Sequence, residues 1–163
     1  MEFKERKHPR LKDYDYSLPG YYYVTIHNQT GAPMLSLIRQ GHLPGEAMYV
    51  LTLAGKLAQR QLVDLENRFD YVTIDKYVIM PTHIHAIIIL REGPRPRPSL
   101  MEIVRAYKSL TTRLWNQTMG TQGEKLFQTS FYDRVIRNQH AYEECWNYIE
   151  GNPGKWLTDP EDL

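Results

Sequence analysis

The chain is nearly without cysteine: Cys145 stands alone among 163 residues, so no internal disulfide can form and a reduced, cytoplasmic setting is expected. It has no apolar run approaching the roughly 18 residues of a membrane span, and its first ten residues are charged rather than apolar. No leader and no membrane partner are therefore expected. Internal repeats and low-complexity tracts are absent too, which excludes solenoids and arrays. Net charge is only +1, so whole-molecule attraction to a polyanion is not the basis of any function. What remains, 42% hydrophobic and 24% charged residues, is the composition of one ordinary domain with a core.

The charge is unevenly spread. Residues 1–12 form a basic arm, residues 91–137 a basic middle, and residues 138–163 an acidic tail. A basic middle is the local field that attracts a phosphate backbone, although a solvated surface with clustered signs gives the same count.

Residues 21–29 are β-branched and aromatic and follow Pro19-Gly20, which predicts a first strand. Residues 34–50 predict a short strand and a turn around Gly41 and Pro44-Gly45. Leu57, Leu62, Leu65 and Phe69 predict a helix over 54–69. Two strands, 71–79 and 83–90, are joined by Met80-Pro81-Thr82 and suit an antiparallel pair. Residues 91–98, with three prolines, form an exposed basic loop. Ser99 and Glu102 make a capping box opening a second helix to about Trp115. A strand around 127–135 follows, then a helix from Asn138 through Ile149, ended by Gly151, Asn152 and Pro153. The order β, hairpin, α, β, β, α, β, α fits an α+β, ferredoxin-like (RRM-like) sandwich with an extra C-terminal helix, as one domain with a core over about 15–156.

His83 and His85 head the run 83–90. On a strand, residues two apart share a face, so two neutral imidazoles would point together as half of a divalent-metal site. With six histidines, some His-x-His arises by chance in roughly one such chain in five, so a second constellation is needed. It lies at 142–156, where Tyr148 and Asn152 stand four apart on one helix face with Glu144 a turn before. Tyr142, Cys145 and Ile149 form the apolar stripe beside them.

Taken together, Tyr-Val-Ile-Met-Pro-Thr-His-Ile-His at 77–85, Lys108-Ser109, the segment 131–137 and Tyr-Ile-Glu-Gly-Asn-Pro at 148–153 resemble the single-tyrosine HUH transposases. Within them the chain is most similar to the REP-associated tyrosine transposases, in order and over about residues 15–156. Thr82 and Ala86 stand where that family usually has Asn and Gly, and Asn152 where its insertion-sequence members have Gln. The resemblance implies Tyr148 as nucleophile, His83, His85 and Asn152 as ligands of Mg²⁺ or Mn²⁺, and single-stranded DNA with a hairpin as substrate. The implied product is a 5′-phosphotyrosine linkage with a free 3′-hydroxyl, formed within one chain or across a homodimer.

A phosphodiester resists attack because it is anionic and its leaving alkoxide is poor, so charge neutralisation and an aligned nucleophile are what catalysis requires. Lys108, Arg134, Arg137, Arg95 and Arg97 are the candidate DNA contacts. Tyr132 and Tyr142 are rival nucleophiles, while His27, His42 and His140 lack partner spacing and read as structural. A histidine-triad hydrolase would need a third histidine where Ile87 stands, and a two-histidine phosphoesterase a second His-x-Thr/Ser where His140 leads to Tyr142. The remaining alternative is a non-catalytic or domesticated binder of single-stranded nucleic acid that stacks bases on Tyr21 to Tyr23.

Overall fold

The computed structural model describes residues 10–44 and 46–158. The far end of the basic arm, Gly45 of the expected turn and the last five residues of the acidic tail lie outside the described residues. Among the described residues ten elements follow one another: β1 (Gly20–His27), β2 (Ser36–Gln40), β3 (Ala47–Leu51), α1 (Leu53–Val63), α2 (Leu65–Arg68), β4 (Val72–Ile79), β5 (His83–Leu90), α3 (Leu100–Met119), β6 (Tyr132–Ile136) and α4 (Gln139–Thr158).

The main sheet has the order β4-β5-β1-β6, antiparallel throughout. With β2 and β3 set aside as a separate antiparallel hairpin, this is the ferredoxin-like βαββαβ sandwich expected from the sequence. Alternate residues divide the sheet into two unlike faces. Tyr22, Val24 and Ile26 of β1 and Ile84, Ala86 and Ile88 of β5 join the core formed with α1 and α3. Tyr23 and Ile87 point the other way and pack with Ala141, Cys145 and Ile149 of α4. Because helices cover both faces, β5 is buried along nearly its whole length, which is why its sequence reads as a continuous apolar run.

Close approaches fix the hairpin against this sandwich. A Cβ on Gly55 would sit 1.9 Å from the Leu35 carbonyl oxygen, so only glycine lets the start of α1 lie against the lead-in to β2. Thr52 caps α1 and also donates to the carbonyls of Met34 and Leu35, at 2.7 and 2.9 Å. The amides of Met34 and Leu35 donate in turn to the Pro81 carbonyl. The turn that launches His83 is thus held from the hairpin side.

Three expectations are corrected. The single helix expected over 54–69 is interrupted at Asp64, giving α1 and α2. The last strand spans only Tyr132–Ile136, because Phe127 makes just an isolated bridge with Asn28 and the segment between turns outward. The last helix does not stop at Ile149 but continues to Thr158 with Pro153 inside it. Proline removes one backbone N–H hydrogen bond and biases its predecessor against helix. Here the Asn152 side chain donates to the Tyr148 carbonyl at 2.8 Å, and Trp156 packs on the α4 cluster, so tertiary contact carries the helix through. The expected capping box of α3 is present, and Gly120 ends that helix at φ 67°.

Candidate active site

His83 faces His27 across the β5–β1 pairing, and His85 faces Thr25. The face beneath α4 therefore carries Tyr21, Tyr23, Thr25 and His27 of β1 beside His83 and His85 of β5. The two imidazoles lie with ring centroids 4.5 Å apart. Both are buried. Each has its Nδ1 engaged by hydroxyls: His83 by Thr82 at 2.9 Å, His85 by Tyr23 at 2.7 Å and Thr25 at 2.9 Å. Thr82 thus provides a polar partner for the first histidine.

The Nε2 atoms of both histidines are buried and have no hydrogen-bond partner among the described residues. Asn152 Oδ1 is in the same condition. Buried polar atoms are almost always paired, so three orphans on the residues singled out from the sequence call for a guest. No group of three His, Cys, Asp or Glu side chains suited to a metal exists among the described residues. The donor set for a cation is two imidazole nitrogens and an amide oxygen, all neutral. Such a set fits Mn²⁺ or Mg²⁺ only if other ligands supply negative charge, which a phosphodiester does.

Burial depresses the His83 pKa to about 3, with the neighbouring His27 adding to the effect. His85 is likewise pushed well below the ordinary imidazole range, by burial first and then by His83 and His27. Both are neutral at pH 7, the state that ligates a metal.

α4 brings the tyrosine to this face. Its buried stripe is Ala141, Cys145, Ile149 and Asn152, so Asn152 belongs to the docked face that the sequence assigned to Tyr142, Cys145 and Ile149. Tyr142 donates to Asp75 at 2.7 Å, beside the bulge where β4 slips register between Ile74 and Lys76. Lys76 pairs with Glu150 and lies 4.0 Å from the Trp146 ring. Arg134 pairs with Glu144 at 3.3 Å. Held in this way, the half-buried Tyr148 ring stands 5.3 Å from the His85 ring and 6.4 Å from that of Tyr23, edge-on to both. Burial raises the phenol's pKa, and a hydrogen bond from Asn152 opposes the rise. Tyrosine and histidines are thus neighbours within a single chain.

The other candidates fall in three places. Arg134 and Arg137 lie on β6 and just after it, Arg137 in a hollow with Tyr21, Asp75 and Tyr142. Lys108 lies on α3, on the other side of the sheet, and donates to the Thr129 carbonyl at 2.7 Å. Arg95 pairs with Asp15 at 3.4 Å. Arg97 donates to the Ser17 and Arg91 carbonyls and packs over Tyr71, so it braces the proline-rich loop. Sequence reasoning took Tyr22 and Tyr23 for base-stacking rings, which their complete burial excludes, and it missed Tyr23 and Thr25 as partners of His85 and the placement of His27, whose ring is 5.3 Å from that of His83. The alternation of 21, 23, 25 and 27 was visible, but the register that sets it opposite the histidines was not.

A solved structure of a REP-associated tyrosine transposase bound to a REP hairpin matches with a TM-score of 0.63 and 18% identity, over 94% of this chain and 79% of that one. The chain shares the fold of that protein. A crystal structure of a candidate transposase from Deinococcus radiodurans R1 also shares the fold. Its TM-score is 0.52 at 16% identity, over 87% of this chain and 95% of the other. By sequence, an uncharacterized protein of Haemophilus influenzae Rd is 28% identical over 171 residues, covering 94% of this chain and 91% of its own. No protein-family profile matches. Among the described residues, no helix is long and apolar enough to cross a membrane.

Proposed function

We propose that this protein is a metal-dependent single-stranded DNA endonuclease and strand transferase, an HUH transposase acting on hairpin-associated DNA through a 5′-phosphotyrosine on Tyr148. The observation that carries this reading is the trio of buried, unpartnered atoms, His83 Nε2, His85 Nε2 and Asn152 Oδ1, beside a phenol 5.3 Å from His85 ring to ring. The transposase fold and the neighbour's REP hairpin support it.

His83, His85 and Asn152 would hold Mg²⁺ or Mn²⁺, which when bound supplies Lewis-acid neutralisation of the scissile phosphate. The residues of the chain do the rest. Thr82, Tyr23 and Thr25 occupy both Nδ1 atoms, which leaves the Nε2 lone pairs as the free ligand positions. Burial raises the phenol's pKa and Asn152 lowers it, so Asn152 works toward the ionised form of Tyr148. Tyr148 Oη then attacks phosphorus; the tyrosyl O–P bond forms, the P–O3′ bond breaks, and the phenolic proton is balanced by the proton taken up by the departing 3′ oxygen. Because the tyrosyl ester remains a phosphodiester, a 3′-hydroxyl can reverse the step and join strands without ATP. The 5.3 Å approach of the Tyr148 ring to that of His85 within one chain supports action in cis.

The test is denaturing electrophoresis of labelled hairpin oligonucleotides with Mg²⁺ or Mn²⁺. A covalent adduct is expected for the wild type and none for Tyr148→Phe or the His83→Ala/His85→Ala double variant. Tyr21, 44% exposed beside Arg137, is the feature that favours a binding-only module. Tight binding of single strands with no adduct in either metal would establish that reading instead.

A further inference from the structure

Tyr148, Asn152 and Lys155 stand at i, i+4 and i+7 of α4, along one stripe of the helix. Lys155 is exposed, and a lysine in the last turn is ordinarily explained by the negative end of the helix dipole. Its geometry points elsewhere. Seven residues advance a helix about 10 Å, yet Lys155 Nζ lies 5.0 Å from the centroid of the Tyr148 ring. The lysine stem therefore runs back along the stripe and holds its ammonium against the phenol rather than toward the last carbonyls.

The other charges on this face single the lysine out. Arg134 pairs with Glu144, and Lys76 with Glu150. Arg137 lies in the hollow beside Tyr21, and Tyr21 is four residues along β1 from Thr25, which faces His85, or about 13 Å away. Lys155 has no carboxylate partner among the described residues, and its ammonium is the one that rests on the Tyr148 ring.

The proposed chemistry has a use for such a charge. His83, His85 and Asn152 are neutral donors, while the scissile phosphodiester is an anion and the attacking phenol becomes a second one as its proton leaves. Two negative charges brought together at a forming bond repel unless a positive group stands beside them. A lysine offers a compact charge and three donors on a flexible stem, able to swing from the face of a ring onto a phosphate oxygen.

We propose that Lys155 is a further catalytic residue, whose ammonium passes from the Tyr148 ring to a nonbridging oxygen of the phosphate that Tyr148 attacks. The inference rests on the proposed function and adds to it the group that offsets charge on the tyrosine side of the phosphate. Lys155 gives up no proton and makes no covalent bond. The tyrosyl O–P bond forms and the P–O3′ bond breaks as before.

The experiment measures single-turnover adduct formation at saturating hairpin DNA for wild type, Lys155→Met and Lys155→Arg, together with the hairpin Kd and the thermal midpoint. Lys155→Met keeps most of the stem without the charge. Its rate should fall at least tenfold with Kd changed less than about threefold, the pattern of an interaction made mainly in the transition state. The midpoint should match wild type because the side chain is exposed, and Lys155→Arg should recover most of the rate. A second readout separates contact with phosphate from mere packing on the ring. With a phosphorothioate of each configuration at the scissile position, one diastereomer should slow the wild type equally in Mg²⁺ and Mn²⁺, and that slowing should vanish in Lys155→Met. A Lys155→Met rate within twofold of wild type, a loss confined to Kd, or the same sulfur effect in both proteins would overturn the proposal while leaving the nuclease reading intact. Absence of adduct from the wild type would overturn both.

Discussion

Removing the Tyr23 hydroxyl should weaken the proposed metal binding without disturbing the fold, because that hydroxyl orients the proposed ligand His85 rather than acting as a ligand itself. His85 Nδ1 lies 2.7 Å from Tyr23 Oη and 2.9 Å from Thr25 Oγ1. Ligation through Nε2 requires the imidazole proton on Nδ1, where both hydroxyl oxygens can accept it. In Tyr23→Phe, Thr25 still accepts, so the tautomer survives and stability falls by no more than about 1 kcal/mol, one neutral hydrogen bond. Second-shell losses reduce metal affinity by about 10- to 100-fold; with a surviving acceptor the lower end applies, near 1.4 kcal/mol. In Tyr23→Phe/Thr25→Val the Nδ1–H has no acceptor, the proton moves to Nε2 and blocks the lone pair, and the loss should approach 100-fold. Mn²⁺ titration followed by electron paramagnetic resonance, with the hairpin DNA present, measures both, and circular dichroism checks the fold. Affinity within twofold of wild type in the double variant would refute the claim that these hydroxyls set the tautomer.

The metal-free protein should lose stability in mild acid. Unfolded histidines protonate below about pH 6.5, whereas folded His83 stays neutral to about 3. Its contribution is complete above pH 6.5 and is lost as the pH falls toward 3, at about 1.4 kcal/mol per pH unit. Urea unfolding at pH 7 and pH 5 should show this loss reduced in His83→Gln, and identical pH profiles would contradict it. Asn152→Ala removes both the orphaned Oδ1 and the donor to Tyr148; adduct formation should fall more than tenfold, with Mn²⁺ affinity falling alongside it, and loss of one without the other would separate the two roles. Gly151 and Gly154 lie inside α4 with open space where a Cβ would go. Replacing both with Ala should stabilise the protein by about 1 to 2 kcal/mol, and should slow adduct formation if the half-buried Tyr148 needs this stretch of helix to yield. A faster variant would argue that it does not.

The fold was legible because its elements carry strong local signs: the capping box at Ser99 and Glu102, the apolar run of β5, and the proline-rich break before α3. The helix end was misjudged for a physical reason. Pro153 disfavours helix locally, and the Asn152 side chain and the packing of Trp156 that override it are tertiary facts. Tyr148, His83 and His85 were visible as residue types at telling spacings, and the structure brings them together on one face. Tyr23 and Thr25 were not, because strand register decides which alternate residues face His85, and register depends on the whole sheet. The candidate cations could be counted from the sequence but not sorted. Lys108 lies on the side away from Arg134 and Arg137, and Arg97 turns inward to backbone carbonyls.

The most direct measurement is peptide mapping by mass spectrometry of protein incubated with a hairpin oligonucleotide and Mn²⁺, followed by nuclease trimming of the DNA. The expected result is a single modified peptide carrying a 5′-phosphoryl nucleotide on Tyr148, lost in the His83→Ala/His85→Ala variant. A nucleotide on Tyr132 or Tyr142, or a modification on Tyr148 that persists without the two histidines, would contradict the account.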